Sequence, residues 1–482
     1  MSTSNFFEMP ETQTGTVNLT VQTGDEAAEI FIIDSQFHRV ARGVGEEVKF
    51  PLPRGLYTVK VRTGVECREK LIILSKDDHI PFDPIEFASP APLEGTAKTH
   101  EFHASNADTY SRSVNETRGQ GSQIYVFARD WTAPSPAPLS LTSLHPARGL
   151  TLRDRHGEVL VDFAGPSWPQ NLEGEPWAAC NTEVDPGTYR LSLKLASNDV
   201  LEQTIVASSG WQTQIFLLQR EYGFKESDRR ADLSNASIFM SRLGSGFHPQ
   251  KLSYEAHAQV DFRLTEMARQ GLINERQVLT DEVVRRMLDE KFSNPMLGIY
   301  GAHLLLLREE PDRETLRLVL ANLRKLLGGS HPDVEALALK LGQGSDYIFD
   351  FPPMLRRSWA YVLKASVRQL NLVPEGSLAY QASDRLWSGN PWLLWRQSSE
   401  HTDSEGASRQ LRRLIRQASG DLENSEDGLQ QIPNSLAQQN AKAVDSGIYQ
   451  AFQQLDDKEM IELVQTLGVP RNKLEAWIKS LN

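Results

Sequence analysis

The first part of the chain shows a two-residue alternation of apolar and polar side chains. Val17, Leu19 and Val21 alternate with polar residues, and the segment 55–61 alternates in the same way. A period of two places alternate side chains on one face of a strand. One apolar face indicates half-buried antiparallel strands. We therefore predict a β-sandwich module over residues 14–80.

The same pattern recurs later in the chain. Residues 187–193 match residues 55–61 in the pattern Gly-x-Tyr-x-(Val/Leu)-x-(Val/Leu). Glycine permits a tight entry turn, and the tyrosine hydroxyl needs a partner when its ring is buried. We interpret the recurrence as an internal duplication, with a second β-sandwich module over 121–222. A linker rich in Pro, Ser, Thr, Asn and Gly is predicted between the two copies, over 81–120.

This motif resembles the small transthyretin-like and PEGA-like sandwiches that occur as accessory modules in many bacterial proteins. The likeness depends on a short motif in each copy. It implies two tandem β-sandwiches that bind or space other domains and do not catalyse a reaction. Fold likeness alone does not assign a function.

After about residue 228 the apolar period changes from two to 3.6, which indicates helices. Asn294-Pro295 is a helix start, because Asn caps free N–H groups and Pro fits the first turn. Residues 316–327 carry a leucine stripe that Gly328 terminates. Short connections between several such segments predict a compact α-helical bundle over 228–400.

Three segments of this block, at 294–307, 331–337 and 353–359, resemble a helical block that recurs in uncharacterised bacterial proteins. We associate those proteins with gene neighbourhoods that encode caspase-like or trypsin-like peptidases and other conflict-system components. The resemblance implies a peptidase-linked defence setting, with such a peptidase as a protein partner. It carries no catalytic residue to this chain.

The end of the chain is predicted as a basic helix and flexible polar linker over 401–444, followed by a small tethered three-helix domain over 445–482. Arg471, Lys473 and Trp477 on the last helix are our candidates for binding a partner. The alternative is a helix-turn-helix in which Arg471, Asn472 and Lys473 lead a recognition helix into a DNA groove. Residues 441–482 contain five Lys or Arg and six Asp or Glu without a basic stripe, which argues against nucleic acid.

Composition narrows the classes of function. The chain has 482 residues and a net charge of −12, which argues against a surface that coats nucleic acid or anionic lipid. We expect no secretory signal, because the first ten residues contain neither a basic region nor an apolar region. We expect no membrane span, because no apolar run reaches the ~18 residues that a spanning helix needs. Cys67 and Cys180 fall in different predicted modules, so we expect two free thiols and a cytoplasmic protein.

The sequence lacks the motifs that would identify a reaction, namely a phosphate-binding loop, a Gly-x-Ser-x-Gly elbow and a Cys-rich zinc site. His100 and His103 are spaced like two metal ligands, but no third ligand follows at a matching distance. We therefore expect no metal and no cofactor. His303, His331 and Trp359 are candidates for lining one pocket of the helical bundle. The alternative is that His303 is a core histidine bonded to a neighbouring helix.

These observations favour a non-enzymatic interaction or adaptor protein built from several modules. Two alternatives stay open. One is an effector that is activated by proteolytic cleavage in the linker 400–445. The other is a cryptic enzyme that acts from the helical block, or a DNA-binding regulator that acts through the C-terminal helices. The sequence does not identify the partner, the oligomeric state or a small-molecule ligand.

Overall fold

The computed structural model describes residues 15–25, 28–63, 66–83, 85, 87–93, 96–97, 101–130, 145–172, 176–222, 228–248, 256–275, 294–308, 310–344, 346–387, 389–397 and 452–480. Within these ranges the strands form four sheets of three to seven strands, together with one two-stranded pair. Most helices follow the strands along the chain. The predicted order, a β-rich region followed by helices, is confirmed.

Seven strands form two sheets at the start of the chain. They are Thr16–Gln22 (β1), Glu29–Asp34 (β2), Arg39–Val44 (β3), Glu47–Pro53 (β4), Gly55–Thr63 (β5), Glu66–Leu74 (β6) and Asp78–Pro81 (β7). The sheet orders are β4-β1-β7 and β3-β2-β5-β6. Apolar side chains of both sheets, including Leu19, Val21, Ile30 and Val59, share one buried cluster.

The second β region is larger. Its elements are Phe87–Ala88 (β8), Thr96–Ala97 (β9), Glu101–Ser111 (α1), Glu116–Thr117 (β10), Ser122–Arg129 (β11), Leu150–Arg153 (β12), Val159–Asp162 (β13), Gln170–Asn171 (β14), Trp177–Val184 (β15), Gly187–Lys194 (β16), Val200–Ala207 (β17), Trp211–Glu221 (β18), Arg229–Ala231 (β19) and Ser237–Arg242 (β20). The segment 81–120, predicted as a linker, therefore contains a helix and short strands. Residues 229–242 continue the sheet beyond the predicted start of helices at 228.

The two β regions repeat one strand arrangement. β1 is antiparallel to β4 and parallel to β7, and β11 is likewise antiparallel to β15 and parallel to β18. The order β3-β2-β5-β6 in the first region corresponds to β13-β12-β16-β17 in the second. Equal order and equal strand direction in both sheets support the predicted internal duplication.

The turns repeat as well. The Oδ1 atom of Asp34 accepts N–H bonds from residues 36 and 38 at 2.8 and 2.9 Å, and Asp154 accepts from residues 156 and 158 at the same distances. Such Asx turns satisfy backbone donors at a hairpin corner. The hydroxyls of Tyr57 and Tyr189 each donate to the carbonyl four residues upstream, at 2.9 and 2.7 Å. The tyrosine of the repeated motif therefore anchors its strand in both copies.

The helices follow, with two further strands between them. Their bounds are Ala256–Ile273 (α2), Pro295–Leu305 (α3), Arg313–Leu327 (α4), Pro332–Lys340 (α5), Arg356–Ser366 (α6), Leu378–Ala382 (α7), Leu386–Trp387 (β21), Leu394–Gln397 (β22), Asp457–Leu467 (α8) and Arg471–Ser480 (α9). Asn294 caps α3 as predicted, since its side chain accepts from the Met296 N–H. Gly328 ends α4 with a φ of 66°, a conformation that glycine adopts without strain.

The helical region and the second β region share a core. Helices α2 to α5 and the second β region contribute side chains to one continuous buried cluster. Strand β22 pairs antiparallel with β17 and extends the six-stranded sheet. Leu386–Trp387 and Leu394–Gln397 fall in the range predicted as a helical bundle, and they form strands instead. The reason is tertiary: Leu394 is a core residue of the sheet, and the segment satisfies the backbone of β17.

Helices α8 and α9 pack on the helical region through a second cluster that they share with α6. The predicted basic helix and linker, 401–444, lie outside the described residues. None of the described helices combines the length and the apolar character that crossing a membrane requires.

Candidate functional site

Helices α3, α5 and α6 meet around four polar side chains, which we call the buried polar cluster: His303, His331, Asp333 and Ser358. Each is at most 1% exposed. The Nε2 atom of His303 lies 3.1 Å from the Ser358 hydroxyl, which also hydrogen-bonds the Asp333 carboxylate. His331 Nδ1 accepts from the Asp333 backbone N–H at 3.3 Å. The structure thus links both predicted histidines through two residues that the sequence analysis did not select.

Asp333 supplies the cap that α6 lacks. Leu355, at the cap position of α6, has no side-chain oxygen. The carboxylate of Asp333 on α5 accepts the backbone N–H groups of Met354 and Leu355 at 3.0 and 2.9 Å. A negative charge near a helix N-terminus is favourable, and the N–H groups there need acceptors. One buried carboxylate therefore connects α5 to the start of α6.

Burial shifts the pKa of three cluster residues. It lowers the pKa of His303 to about 3, and the positive charge of Arg357 acts in the same direction. It lowers the pKa of His331 to about 3 as well. Burial raises the pKa of Asp333 to about 6, against the opposing effect of its hydrogen bonds. Both imidazoles are therefore neutral at pH 7, where the carboxylate is ionised.

The cluster contains the residue types of a nucleophilic triad in a different arrangement. In such a triad the carboxylate orients the histidine, and the histidine takes the proton of the hydroxyl. Here Asp333 bonds the Ser358 hydroxyl, and the Nδ1 atom of His303 has no hydrogen-bond partner among the described residues. The hydroxyl is also fully buried. This geometry favours a link between helices over nucleophilic catalysis.

Trp359, the third predicted pocket residue, faces a different part of the molecule. Its indole N–H donates to the Gly468 carbonyl at 3.0 Å, and its ring belongs to the cluster shared with α8 and α9. We call residues 452–480 the C-terminal module. Ser358 and Trp359 are consecutive on α6, so one helix contacts both the buried polar cluster and the C-terminal module.

The C-terminal module contains the helices α8 and α9, and both ends of α8 are capped. Asp456 and Glu459 form a capping box at the start of α8, and Gly468 ends the helix with a φ of 74°. A Cβ at Gly468 would lie 3.0 Å from a Leu386 side-chain carbon, so the glycine also permits close approach. Buried apolar side chains fill the contact with α6; they are Met460, Leu463, Val464, Val469, Leu474 and Ile478 on the module.

The first two residues of α9 donate hydrogen bonds to the helical region. The guanidinium of Arg471 donates to the Val367 carbonyl at 2.8 Å, just beyond the end of α6. The amide of Asn472 donates to the Val373 carbonyl at 2.8 Å. A positive charge at the C-terminal end of a helix complements the free carbonyl groups there. In this state the predicted partner-binding residue Arg471 is engaged within the chain.

Lys473 is buried, with 5% of its surface exposed. Its ammonium donates to the Tyr380 carbonyl and lies 3.1 Å from the Asp384 carboxylate. Burial lowers the pKa of Lys473, and the carboxylate partly opposes this shift. The half-buried Trp477 ring lies 5.9 Å from the same ammonium. Lys473 therefore also faces the helical region and not a free surface.

Three other features are possible sites, namely a metal site, the two cysteines and one cavity. Within the described ranges, no group of three or more His, Cys, Asp or Glu side chains is arranged to hold a metal ion. His103 is buried, and His100 lies outside those ranges. Cys67 is exposed, while burial raises the pKa of Cys180 to about 11. A cavity of about 300 Å³ lies beside Tyr189, where an Arg155–Asp350 ion pair of 2.7 Å forms part of its lining.

Sequence reasoning missed Asp333 and Ser358. Asp333 follows His331-Pro332 and looks like an ordinary acidic residue in the first turn of a helix. A signal was present in the absence of any capping side chain before α6, which requires a cap from elsewhere. No protein-family model matches the chain, and no curated protein matches it either.

Proposed function

We propose that the chain is a non-enzymatic interaction protein, an adaptor whose C-terminal module is an internal ligand of its own helical region. The observation that carries the proposal is the contact between the module and α6. It combines a shared apolar cluster with directional bonds from Trp359, Arg471 and Asn472. Apolar burial supplies most of the stabilisation, and the directional bonds supply specificity for this segment.

The connection to the module suggests how an adaptor could use this contact. Residues 398–451 separate the end of β22 from the module, a stretch of 54 residues (451 − 397). A tether of this length raises the effective concentration of the module at its own site without making the contact permanent. A partner that binds the module, or the surface beneath it, therefore competes with an intramolecular ligand.

The proposal also includes the architecture of the domains, the location of the protein and its partner. We propose that each β region is a β-sandwich, that helices α2 to α6 form a bundle, and that the protein is cytoplasmic. The proposed partner is a protein, and the bacterial resemblance favours a caspase-like or trypsin-like peptidase in a defence setting. Support for the sandwiches comes from the buried cluster shared by the first two sheets and from the repeated topology.

The alternative of an effector activated by cleavage meets a physical obstacle. A cut within 400–445 removes the covalent tether but leaves the apolar cluster and the hydrogen bonds of the module intact. Cleavage alone would then produce a nicked complex that stays assembled. An activating peptidase would need a second event that weakens the contact with α6.

The experiment uses the full chain with a site for a sequence-specific protease inserted between residues 420 and 440. After cleavage, an N-terminal tag retains the C-terminal fragment only if the module stays docked. We expect retention for the wild-type sequence and loss for Val464→Asp, because Val464 is fully buried and an unpaired carboxylate there costs several kcal/mol. Thr466→Asp, on the exposed face of the same helix, is the matched control and should retain the fragment.

The uncut variants then test partner binding. Val464→Asp should change the set or the amount of proteins bound by the full chain, while Thr466→Asp should not. Truncation at Gly420 is a poorer test, because it would expose the apolar surface around Trp359 and Val362. Immediate loss of the wild-type fragment after cleavage would contradict the docked state and with it the proposal.

A further inference from the structure

The first β region exposes apolar side chains along one edge. Leu71 and Ile73 on the edge strand β6 are 70% and 77% exposed, and Leu56 on β5 is 42% exposed. Leu56 pairs with Ile73 across the two strands, and Thr58 pairs with Leu71. Directly paired residues lie on the same face of a sheet, so the three apolar side chains form one outward-facing patch.

The backbone beside this patch belongs to a strand at the edge of its sheet among the described residues. Strand β6 is the last strand of its sheet, and no described strand pairs with its other edge. Its first half, 66–70, carries four charged residues, which normally discourage further strand pairing. Its second half, Leu71–Leu74, carries only apolar residues. An exposed edge of this kind is a template for an added strand.

The duplicated module shows what occupies the equivalent edge. Gly55 pairs with Leu74 in the first copy, and Gly187 pairs with Ala207 in the second, so β6 corresponds to β17. In this alignment Glu69 is equivalent to Glu202. The free edge of β6 is thus the position at which β17 receives the antiparallel strand β22.

The contacts of β22 define what such a strand provides. Trp395 lies opposite Glu202, and its indole N–H donates to the Glu202 carboxylate at 2.9 Å. Ser192 donates to the other carboxylate oxygen at 2.9 Å. The glutamate is fully buried, so the added strand both extends the sheet and covers an acid.

The outer face is covered in the second copy and exposed in the first, and the exposed face is the more apolar of the two. Thr204 and Val206, the equivalents of Leu71 and Ile73, are 0% and 6% exposed. The copy that is covered carries the less apolar pair, and the copy that is open carries Leu and Ile. Exposed aliphatic side chains have an unfavourable free energy in water, and contiguous ones mark interaction sites.

We propose that the free edge and outer face of β6 bind an extended segment of a partner protein, which adds an antiparallel strand as β22 does on β17. The contacts described for the C-terminal module do not involve β6, so the test of this site is independent of the docked state. The occupant is a strand because the unpaired groups are backbone N–H and C=O groups along β6.

The side chains of β6 specify the chemistry of the partner. Opposite Ile73 and Leu71 the segment carries aliphatic residues, which cover the outer patch. Opposite Lys70, whose ammonium also donates to the Pro81 carbonyl, and Arg68, which also lies 3.6 Å from the Asp83 carboxylate, it carries acidic residues, because opposite charges across a strand pair are favourable. Opposite Glu69 it carries a tryptophan, whose indole N–H reaches the carboxylate in the manner of Trp395.

The probe is a fluorescein-labelled peptide with the core Val-Thr-Val-Glu-Trp-Glu-Thr, which in antiparallel orientation runs from a residue facing Ile73 to one facing Cys67. Binding to the full chain is followed by fluorescence anisotropy. We expect saturable binding that Leu71→Asp weakens by about tenfold or more, since the substitution replaces an apolar contact of the added strand with a carboxylate. Val40→Asp on the opposite edge strand, β3, is the matched control and should leave binding unchanged.

Two further probes test the binding mode. A peptide with the tryptophan moved by one position presents it on the other face of the strand and should bind at least ~10-fold more weakly. N-methylation of alternate backbone amides removes the donors of an added strand and should abolish binding. Equal binding of the methylated peptide, or no effect of Leu71→Asp, would overturn the proposal.

A second copy of the chain is the competing occupant. Sedimentation equilibrium of the wild-type chain and of Leu71→Asp distinguishes it. We expect the same molecular mass for both at micromolar concentration. Self-association that Leu71→Asp abolishes, combined with no binding of the peptide, would assign the edge to a second copy and overturn the partner-strand proposal.

Discussion

The buried polar cluster predicts that the chain loses stability in mild acid. Lowering the pH from 7 to 5 protonates histidines in the unfolded chain, where their pKa is 6.5. His303 and His331 resist protonation in the folded chain, because burial holds the pKa of each at about 3. The unfolded state then binds more protons than the folded state, so the free energy of unfolding falls as the pH falls.

The magnitude follows from the two shifts and from one opposing group. Below pH 6.5 each histidine lowers the free energy of unfolding by about 1.4 kcal/mol per pH unit. Between pH 7 and 5 the decrease is ~2 kcal/mol for one histidine and ~4 kcal/mol for both. Asp333 acts in the other direction: its folded pKa of about 6 exceeds the ordinary 3.8, so the folded state gains a proton over this range. That gain offsets roughly 1 kcal/mol, which leaves a net loss of ~2–3 kcal/mol from the cluster.

The assay is urea unfolding of the full chain at pH 7 and pH 5, for wild type and for two variants. His303→Gln removes one titrating group while it keeps a polar side chain facing Ser358. We expect the stability difference between the two pH values to shrink by ~2 kcal/mol in this variant. His79→Gln, at an exposed position in β7, is the control and should show the wild-type difference. Comparing differences between variants cancels the contributions of all other titrating groups.

One result would refute this reasoning. If His303→Gln and His79→Gln show the same difference between pH 7 and pH 5, then His303 is not a neutral buried histidine in the folded chain. A lower stability of His303→Gln at pH 7 alone would not bear on the question, because it reports the lost hydrogen bond to Ser358.

Four further outcomes are expected from the structure. Asp333→Ala should destabilise the chain by ~3 kcal/mol in urea unfolding at pH 7, because it leaves buried N–H groups without an acceptor. Asp312→Ala removes an exposed helix cap and should cause a clearly smaller loss of stability. Gln203→Met should stabilise the chain by ~1–3 kcal/mol, because Gln203 lies between core leucines on β16 and β22 and its amide atoms have no hydrogen-bond partner among the described residues; a lower urea midpoint would contradict this. Trp359→Phe should speed dissociation of the C-terminal fragment from the cleaved chain by about fivefold, because one hydrogen bond to a carbonyl is lost; an unchanged rate would exclude that bond from the docked state. Cleavage of the wild-type chain within 398–451 should leave its elution volume in size-exclusion chromatography unchanged, and separation of the fragments would contradict a docked module.

Local signals in the sequence predicted much of the fold. The Gly-x-Tyr motif identified both β5 and β16, because a tight turn followed by an anchored tyrosine depends on neighbouring residues only. Asn294 and Gly328 marked helix ends for the same reason, since caps act within one turn. Even the duplication was visible, although the repeated strand order in both sheets was not.

Contacts between distant parts of the chain could not be predicted. Strand β22 is four residues long, and its pairing with β17 depends on an edge nearly 200 residues earlier. The buried polar cluster joins His303 to Ser358 across 55 residues, and Trp359 meets Gly468 across 109. A single sequence does not show which distant residues are in contact, because each residue type is compatible with several environments. For this reason the sequence grouped His303, His331 and Trp359 in one pocket. In the structure the two histidines belong to the buried polar cluster, and Trp359 contacts the C-terminal module from the other side of α6.

The two β regions differ in what covers their equivalent edge strands, and this difference supports an interaction role. Both copies present the same edge, and an unpaired edge strand needs protection in any soluble β protein. In the second copy the chain protects it with its own β22, and the sheet merges with the helices into one core. In the first copy the described chain provides no strand, and the residues beside the edge are more apolar than their covered equivalents. A module that served only as a spacer would gain solubility by replacing Leu71 and Ile73 with polar residues. Their presence on an open edge is therefore better explained by a segment that binds there.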